Sequence, residues 1–430
     1  MTPLTGNQIR GFQAAWAGWA LDGMDSFIYA LVLAPAMRDL LPASGLAATP
    51  ANLGYYGGLL FSIFLVGWGC ASVWGPIADR FGRVRTLTAT ILCYSAFTFL
   101  GCIAGNIWQL AAFRFIAGIG IGGEWTLGSV LVAEEWPEER RVWGAAWMHT
   151  GYYFGIFLAA GLNYLIGTRY GWRVMFAVGG TPALLVAFIR HGVHEPERWK
   201  AHVKALVKEN VSTAAQTAAS PFRMIFSPVY RRRTLLNALF LLTAMIGLWA
   251  GSVYVPGAVA QVAGRAGYNT ADSARYASWA TMLLSFGTIL GCLMVPWLAD
   301  RFGRRGALAF FFGLMGVSVA VAFGYMFYLR EGALAAFIAS LFFVGVGGAS
   351  FCVFTVWLPE QYPTSCRASA FSFATSSGRF VAAGATWLVG AGIAHFGTIG
   401  IPVALTSVAF LIGLLFVPWG EETKGKRLPA

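Results

Sequence analysis

Two stretches decide how this chain is built: GPIADRFGRVR (Gly75–Arg85) and VPWLADRFGRRG (Val295–Gly306). Each is a short basic turn set between long apolar runs, and both carry Ala-Asp-Arg-Phe-Gly-Arg in register. A second pair repeats more faintly downstream, EEWPEERRVWGAA (Glu134–Ala146) and EQYPTSCRASAFS (Glu360–Ser372). A chain that repeats itself in this order is built from two similar halves.

The runs around these turns are too apolar for water. Of 430 residues, 57% are hydrophobic and 11% are charged, against about 25% charged in a soluble globular domain. A helix needs about 20 apolar residues to cross a bilayer. That length predicts twelve spans at 10–34, 53–75, 86–104, 107–133, 143–166, 172–190, 234–257, 275–297, 306–328, 332–357, 368–394 and 399–418. The expected fold is an all-α membrane protein of two pseudo-symmetric six-helix bundles. Residues 1–190 form the first bundle, 191–233 a cytoplasmic basic linker, and 234–430 the second bundle with a short cytoplasmic tail.

The net charge of +12 would suit nucleic acid, but its distribution argues for a membrane. Basic residues gather in alternate loops: Arg80, Arg83 and Arg85, then Arg140 and Arg141, then the linker, then Arg301, Arg304 and Arg305. The positive-inside rule puts those loops, and both ends of the chain, in the cytoplasm. Within the linker, PERWKAHVKALVKEN (Pro196–Asn210) reads as a solvated connector or as a basic amphipathic helix on the membrane surface. The six cysteines lie in or beside spans without CxxC spacing and read as small packing residues. No phosphate loop, metal-ligand cluster or nucleophile–base pair stands out, so neither an enzyme nor a metal site is expected.

Five ionisable residues fall deep within spans: Asp22, Asp25, Arg114, Glu124 and Arg379. Charges there are expensive and generally functional. At about 1.5 Å per residue, Asp22 and Arg379 each sit about 18 Å from the cytoplasmic start of their helix, close to the midplane. Asp22 and Asp25, three residues apart, share a face. Arg114 and Glu124 are about 15 Å apart along their helix, too far to pair directly. A carboxyl on a glycine-rich face (Gly118, Gly120, Gly122, Gly123) suits a proton carrier, so Glu124, Asp22 and Asp25 are the proton-coupling candidates. Either aspartate can instead serve as a fixed hydrogen-bond anchor. Arg379 offers a permanent planar fork for a carboxylate; an internal salt bridge to Asp22 or Asp25 is the competing reading. Arg114, Tyr152 and Trp357 complete the substrate-binding candidates, with helix packing the alternative for Arg114.

These motifs resemble the major facilitator superfamily over essentially the whole chain. Gly75, Asp79, Arg80, Gly82 and Arg83 match its loop motif, and Asp300, Arg301, Gly303, Arg304 and Arg305 match the second copy, with Pro296 where glycine is usual. RFIAGIGIGG (Arg114–Gly123) is similar to the fourth-helix motif of proton-coupled members. GYYFGIFLAAG (Gly151–Gly161) lacks the proline of drug antiporters. DGMD (Asp22–Asp25) resembles the aromatic-acid and sialate/lactate symporters, GGEW (Gly122–Trp125) the sialate group, and RASAFSFATSSGR (Arg367–Arg379) the aromatic-acid group. The resemblance implies a proton-coupled symporter that imports an organic carboxylate by alternating access, with both loop copies gating the conformational change. A carrier of sugars, polyols or other neutral metabolites is the alternative. It further implies a monomer in the bacterial inner membrane whose partners are a small organic acid, protons and lipid, with no nucleic acid. No cofactor beyond the proton gradient is expected.

Overall fold

Helices begin where the sequence supplies caps. Thr5 and Gln8 form a reciprocal capping box, Thr5 N–H to Gln8 Oε1 at 2.9 Å and Gln8 N–H to Thr5 Oγ1 at 3.3 Å, which opens α1 (Gly6–Ala43). Thr49 caps α2 (Pro50–Gly69) through the N–H of Asn52, and Asn106 caps the long helix Ile107–Glu135 through Gln109. Each cap satisfies an amide left without a helical partner.

The computed structural model describes residues 4–197, 199–201, 220–252 and 254–429. Most of the basic segment 196–210 therefore lies outside the described residues. After α2 come α3 (Trp74–Phe81), α4 (Arg83–Leu100), α5 (Ile107–Glu135), α6 (Arg141–Leu162), α7 (Trp172–Gly179) and α8 (Ala183–Gly192). Further on are α9 (Ser220–Ile225), α10 (Arg231–Ser252), α11 (Val255–Arg265), α12 (Thr270–Gly324), α13 (Ala333–Gly348), α14 (Ser350–Trp357), α15 (Arg367–Phe396), α16 (Gly400–Leu405) and α17 (Val408–Phe416). Among the described residues, six helical stretches are long and apolar enough to cross a membrane.

Several expected spans are shaped differently from a single rod. The run 53–75 breaks at Cys70–Val73, which tightens to a 3-10 turn before α3. Pro76 explains this, because its ring excludes an α-helical carbonyl four residues earlier. Spans 275–297 and 306–328 are the two arms of α12, joined at Gly303 with φ 78° and ψ 174°. Gly82, at φ 113°, makes the equivalent break between α3 and α4. Both loop copies thus turn on a glycine whose backbone other residues adopt only under strain.

The chain divides into two compact units. The first comprises Met1–Thr234, Leu358–Phe380 and Arg427–Ala430; the second comprises Leu235–Trp357 and Val381–Lys426. In the first, α1 and α6 meet backbone to backbone, with Gly151 against the Trp16 carbonyl and Gly155 against the Ala20 carbonyl. This is the small-xxx-small packing of membrane helices. The α5 glycines serve two neighbours: Gly118 and Gly122 seat α2 and the turn after it, while Gly120 and Gly123 seat α4. In the second unit, Gly345 of α13 meets the Leu284 carbonyl and Gly287 of α12 meets the Phe342 carbonyl. Bulky apolar side chains such as Trp279 and Trp387 point outward at 68% and 69% exposure, as lipid-facing residues do.

Candidate functional site

The five intramembrane charges all belong to the first unit, and all are buried. Close packing of α1 and α5 places Asp25 opposite Arg114. The guanidinium donates to both carboxylate oxygens, Nη2 to Oδ2 at 2.8 Å and Nη1 to Oδ1 at 3.4 Å. Its charge is further spread over the faces of Tyr29, Phe64 and Phe176, with ring centroids 5.0, 4.9 and 5.7 Å away. Arg114 is thereby neutralised and held between Asp25 and the three rings.

Asp22 is treated differently. One turn earlier on the same face, it is fully buried and neither carboxyl oxygen has a hydrogen-bond partner among the described residues. Asp25, Glu124, Arg114 and Arg379 all lie within its electrostatic reach. Glu124 is also fully buried; its Oε2 is 3.4 Å from Thr90 Oγ1 and its Oε1 has no partner. That oxygen presses against Gly18 of α1, where any Cβ would overlap it.

Arg379, 3% exposed on α15, lies flat over Trp68 with 4.2 Å from its guanidinium carbon to the ring centroid. One Nη donates to the Thr375 carbonyl one turn back at 2.9 Å, and Nε has no partner. No carboxylate pairs with it among the described residues; Asp22 and Asp25, its partners in the competing reading, make no such contact there. An aromatic group adjoins these charges. Trp19 stacks on Trp125 with centroids 5.8 Å apart and meets Tyr152 at a tilt, 4.8 Å away. Phe371 meets Trp125 edge-on at 5.3 Å, and the buried His149 lies 5.6 Å from Trp125. Trp357 is not part of this group. It belongs to the second unit, stacks on Phe240 at 5.9 Å, and donates its indole N–H to the Glu421 carbonyl at 2.8 Å.

A second polar network surrounds the first loop motif. Asp79 is paired with Arg83 at 3.0 Å and accepts the Ser369 N–H at 2.9 Å and hydroxyl at 2.6 Å. Gly75 makes room, with Ser369 Cα only 2.7 Å from where a Cβ would stand. Arg83 forks onto Glu134 through Nε at 3.2 Å and Nη2 at 3.1 Å, and Nη2 also donates to the Thr364 carbonyl at 2.8 Å. Arg367 binds the same Glu134 carboxylate and donates to the Pro429 carbonyl at 2.6 Å. Arg80 stays exposed against Phe81. In the second copy, Asp300 is exposed and only 3.7 Å from Arg304, while Arg301 lies over Trp297 and Phe302.

The fainter repeat proves to be chemically the sharper one. Glu134 and Arg141 stand seven residues apart, as do Glu360 and Arg367. The structure pairs them crosswise, Glu134 with Arg367 and Glu360 with Arg141 at 3.6 Å. The repeat alone does not say how its charges pair; the shared Glu-x6-Arg spacing is the signal that identifies them. Two further glutamates were also not singled out. Glu195 accepts the N–H groups of Arg83, Val84 and Arg85 at 2.7, 3.1 and 3.0 Å, closing the N-terminus of α4. Glu422 does the same for Arg304 and Arg305 at 3.0 and 3.2 Å. An anion at such a helix end is favoured by both the free amides and the dipole.

Comparison with known proteins agrees with this architecture. The family model described as Major Facilitator Superfamily matches residues 15–274. The chain belongs to the Major Facilitator Superfamily. It is an integral membrane transport protein and not an enzyme. Among curated members of the superfamily, it is 28% identical to the niacin transporter NiaP of Acinetobacter baylyi over 96% of this chain and 93% of that protein. It is 24% identical to the sialic acid transporter NanX of Escherichia coli, over 97% and 95%. The 4-hydroxybenzoate transporter PcaK of Acinetobacter baylyi is 25% identical, over 86% and 81%. The superfamily fold is seen directly in the solved proton:xylose symporter XylE, which superposes with a TM-score of 0.78 at 18% identity over 98% of each chain.

Proposed function

We propose that this protein is a proton-coupled symporter that imports an organic carboxylate by alternating access. The observation that carries the reading is Arg379, a buried guanidinium with no carboxylate partner among the described residues. A buried unpaired cation is strongly destabilising, and a substrate carboxylate placed on its fork would supply the missing charge. Trp68 fixes the plane of that fork from one side. Niacin, sialic acid and 4-hydroxybenzoate, for which the relatives are named, are all carboxylic acids, and the adjoining rings of Trp19, Trp125 and Tyr152 offer apolar surface for a ring.

The acids Asp22, Asp25 and Glu124 are the candidate proton-coupling groups, with Arg379 and Tyr152 toward the substrate. Two six-helix bundles, residues 1–190 and 234–430, joined by the linker 191–233, would rock about this site. The equivalent glutamate clasps at Gly82 and Gly303 support that division. Residues 358–380 group with the first unit, where Ser369 donates to Asp79 and Arg367 pairs with Glu134. We read those pairs as the cytoplasmic gate that must break when the cavity opens inward. Driving force comes from the proton gradient across a bacterial inner membrane, with both ends of the chain cytoplasmic and the monomer as the working unit.

Uptake of labelled nicotinate, 4-hydroxybenzoate, sialate and lactate into proteoliposomes tests the reading, with unlabelled acetate and glucose as competitors. One or more acids should accumulate under an inward proton gradient, and Arg379→Lys should raise the KM for that acid sharply. Uptake blocked by glucose but by no carboxylate would overturn it in favour of a neutral-solute carrier.

A further inference from the structure

The three membrane acids are not equivalent. Asp25 has both oxygens bonded to the Arg114 guanidinium. Among the described residues, Asp22 has neither oxygen bonded, and Glu124 has one oxygen without a partner and one long contact to Thr90. All three are completely buried. An ionised carboxylate is stable away from water only where donors or cations meet its oxygens. Asp25 meets that condition, and Asp22 and Glu124 do not.

We propose that Asp22 and Glu124 are both protonated in this conformation and are the two proton carriers, while Asp25 stays ionised against Arg114 throughout the cycle. This rests on the symporter reading and gives it a stoichiometry. Two protons and one monocarboxylate bring in one net positive charge. The loaded site is then electrically neutral: Arg114 offsets Asp25, Arg379 offsets the substrate, and the two acids are uncharged. Once the substrate and both protons have left inward, Asp22 and Glu124 leave the site with one net negative charge, and an inside-negative membrane potential favours its outward return.

The groups facing these acids come from every neighbouring helix. Asp22 is addressed by Asp25 on α1, Glu124 and Arg114 on α5, Arg379 on α15 and Tyr152 on α6. Tyr94 on α4 lies in the field of both acids. His149 on α6 stands behind Trp19 and Trp125. Arg379 is the one cation among them that Asp25 does not already neutralise. Gly18 completes the arrangement, because its bare backbone leaves room for the Glu124 Oε1 that any side chain there would displace.

Infrared difference spectra of the purified protein decide the protonation directly, through the C=O stretch of buried carboxylic acids. Asp22→Asn and Glu124→Gln should each remove one such band at neutral pH, and Asp25→Asn should remove none. Absence of protonated-carboxyl bands in the wild type, or a band lost in Asp25→Asn, would overturn the proposal. Transport supplies the second readout, using the acid that accumulates in the uptake screen. With the membrane potential clamped at zero, a gradient of one pH unit should hold that acid at an accumulation of about 100-fold for two protons, against about 10-fold for one. A wild-type ratio at the lower value refutes the stoichiometry. If no carboxylate is transported at all, the symporter reading falls, while the infrared result still decides where the protons reside.

Discussion

Glu134→Gln is the most searching perturbation of the proposed gate. In the native arrangement the buried Glu134 carboxylate is shared by two fully buried guanidiniums, Arg83, which also pairs with Asp79, and Arg367. Removing one partner from a buried ion pair costs about 3–5 kcal/mol. Glutamine keeps an acceptor oxygen, so the lower end applies, about 3 kcal/mol, which is about a 150-fold change in an equilibrium. The closed arrangement should lose that much relative to any state in which Arg83 and Arg367 reach water. Cys366, adjacent to Arg367 and fully buried, reports the change. In a variant retaining Cys366 as its single cysteine, alkylation by a membrane-impermeant maleimide from the cytoplasmic face should quicken by about two orders of magnitude on Glu134→Gln. Arg367→Gln should act in the same direction. An unchanged labelling rate would show that the network does not hold the closed state, and the gating argument would fail with it.

Three other outcomes are expected. Gly82→Ala imposes a side chain at φ 113° and drives a Cβ into the Glu195 carboxylate, at a cost of about 1–3 kcal/mol for the backbone alone; thermal unfolding in detergent should fall clearly, while Gly161→Ala, with open space around it, should not. Burial acts to raise the Glu422 carboxyl, but the N–H groups of Arg304, Lys424, Arg305 and Thr423 outweigh it and hold the group below the usual carboxylate range. Its stabilising contribution is therefore complete above the ordinary carboxylate value and is lost as pH falls through the depressed one, so Glu422→Gln should flatten the acid limb of the stability profile. Trp68→Ala removes the face beneath Arg379, worth about 1–2 kcal/mol for a desolvated cation–π contact; the KM for the carboxylate should rise about tenfold, with Trp68→Phe recovering part of it, and an unaltered KM would remove Trp68 from the site.

Much of this was legible in the residues. The helical, membrane-crossing character followed from the apolar runs, the turn at Gly82 and Gly303 from the duplicated motif, and the burial of Asp22, Asp25, Arg114, Glu124 and Arg379 from their place deep within those runs. Choosing between Asp22 and Asp25 was not possible, because three residues along a helix leave both on one face and only the packing of α5 decides which meets Arg114. The Glu134–Arg367 and Glu360–Arg141 pairs were hidden for a related reason. Each repeat contains its own Glu and Arg, and nothing local says that the partners are exchanged. Glu195 and Glu422 were invisible because a lone acid in a polar stretch reads as solvated. Their roles arise only when a distant helix start is brought beside them.

That distance has a consequence for biosynthesis. Arg83 waits for a carboxylate encoded 112 residues later, and Arg304 for one 118 residues later. In each half the acid emerges just after the last helix of its own set of six. The hinge between α3 and α4, and its counterpart within α12, therefore cannot be fastened while the intervening helices are still being inserted. Each half is clasped shut by its own trailing segment, so correct closure certifies that everything between has already been laid into the bilayer.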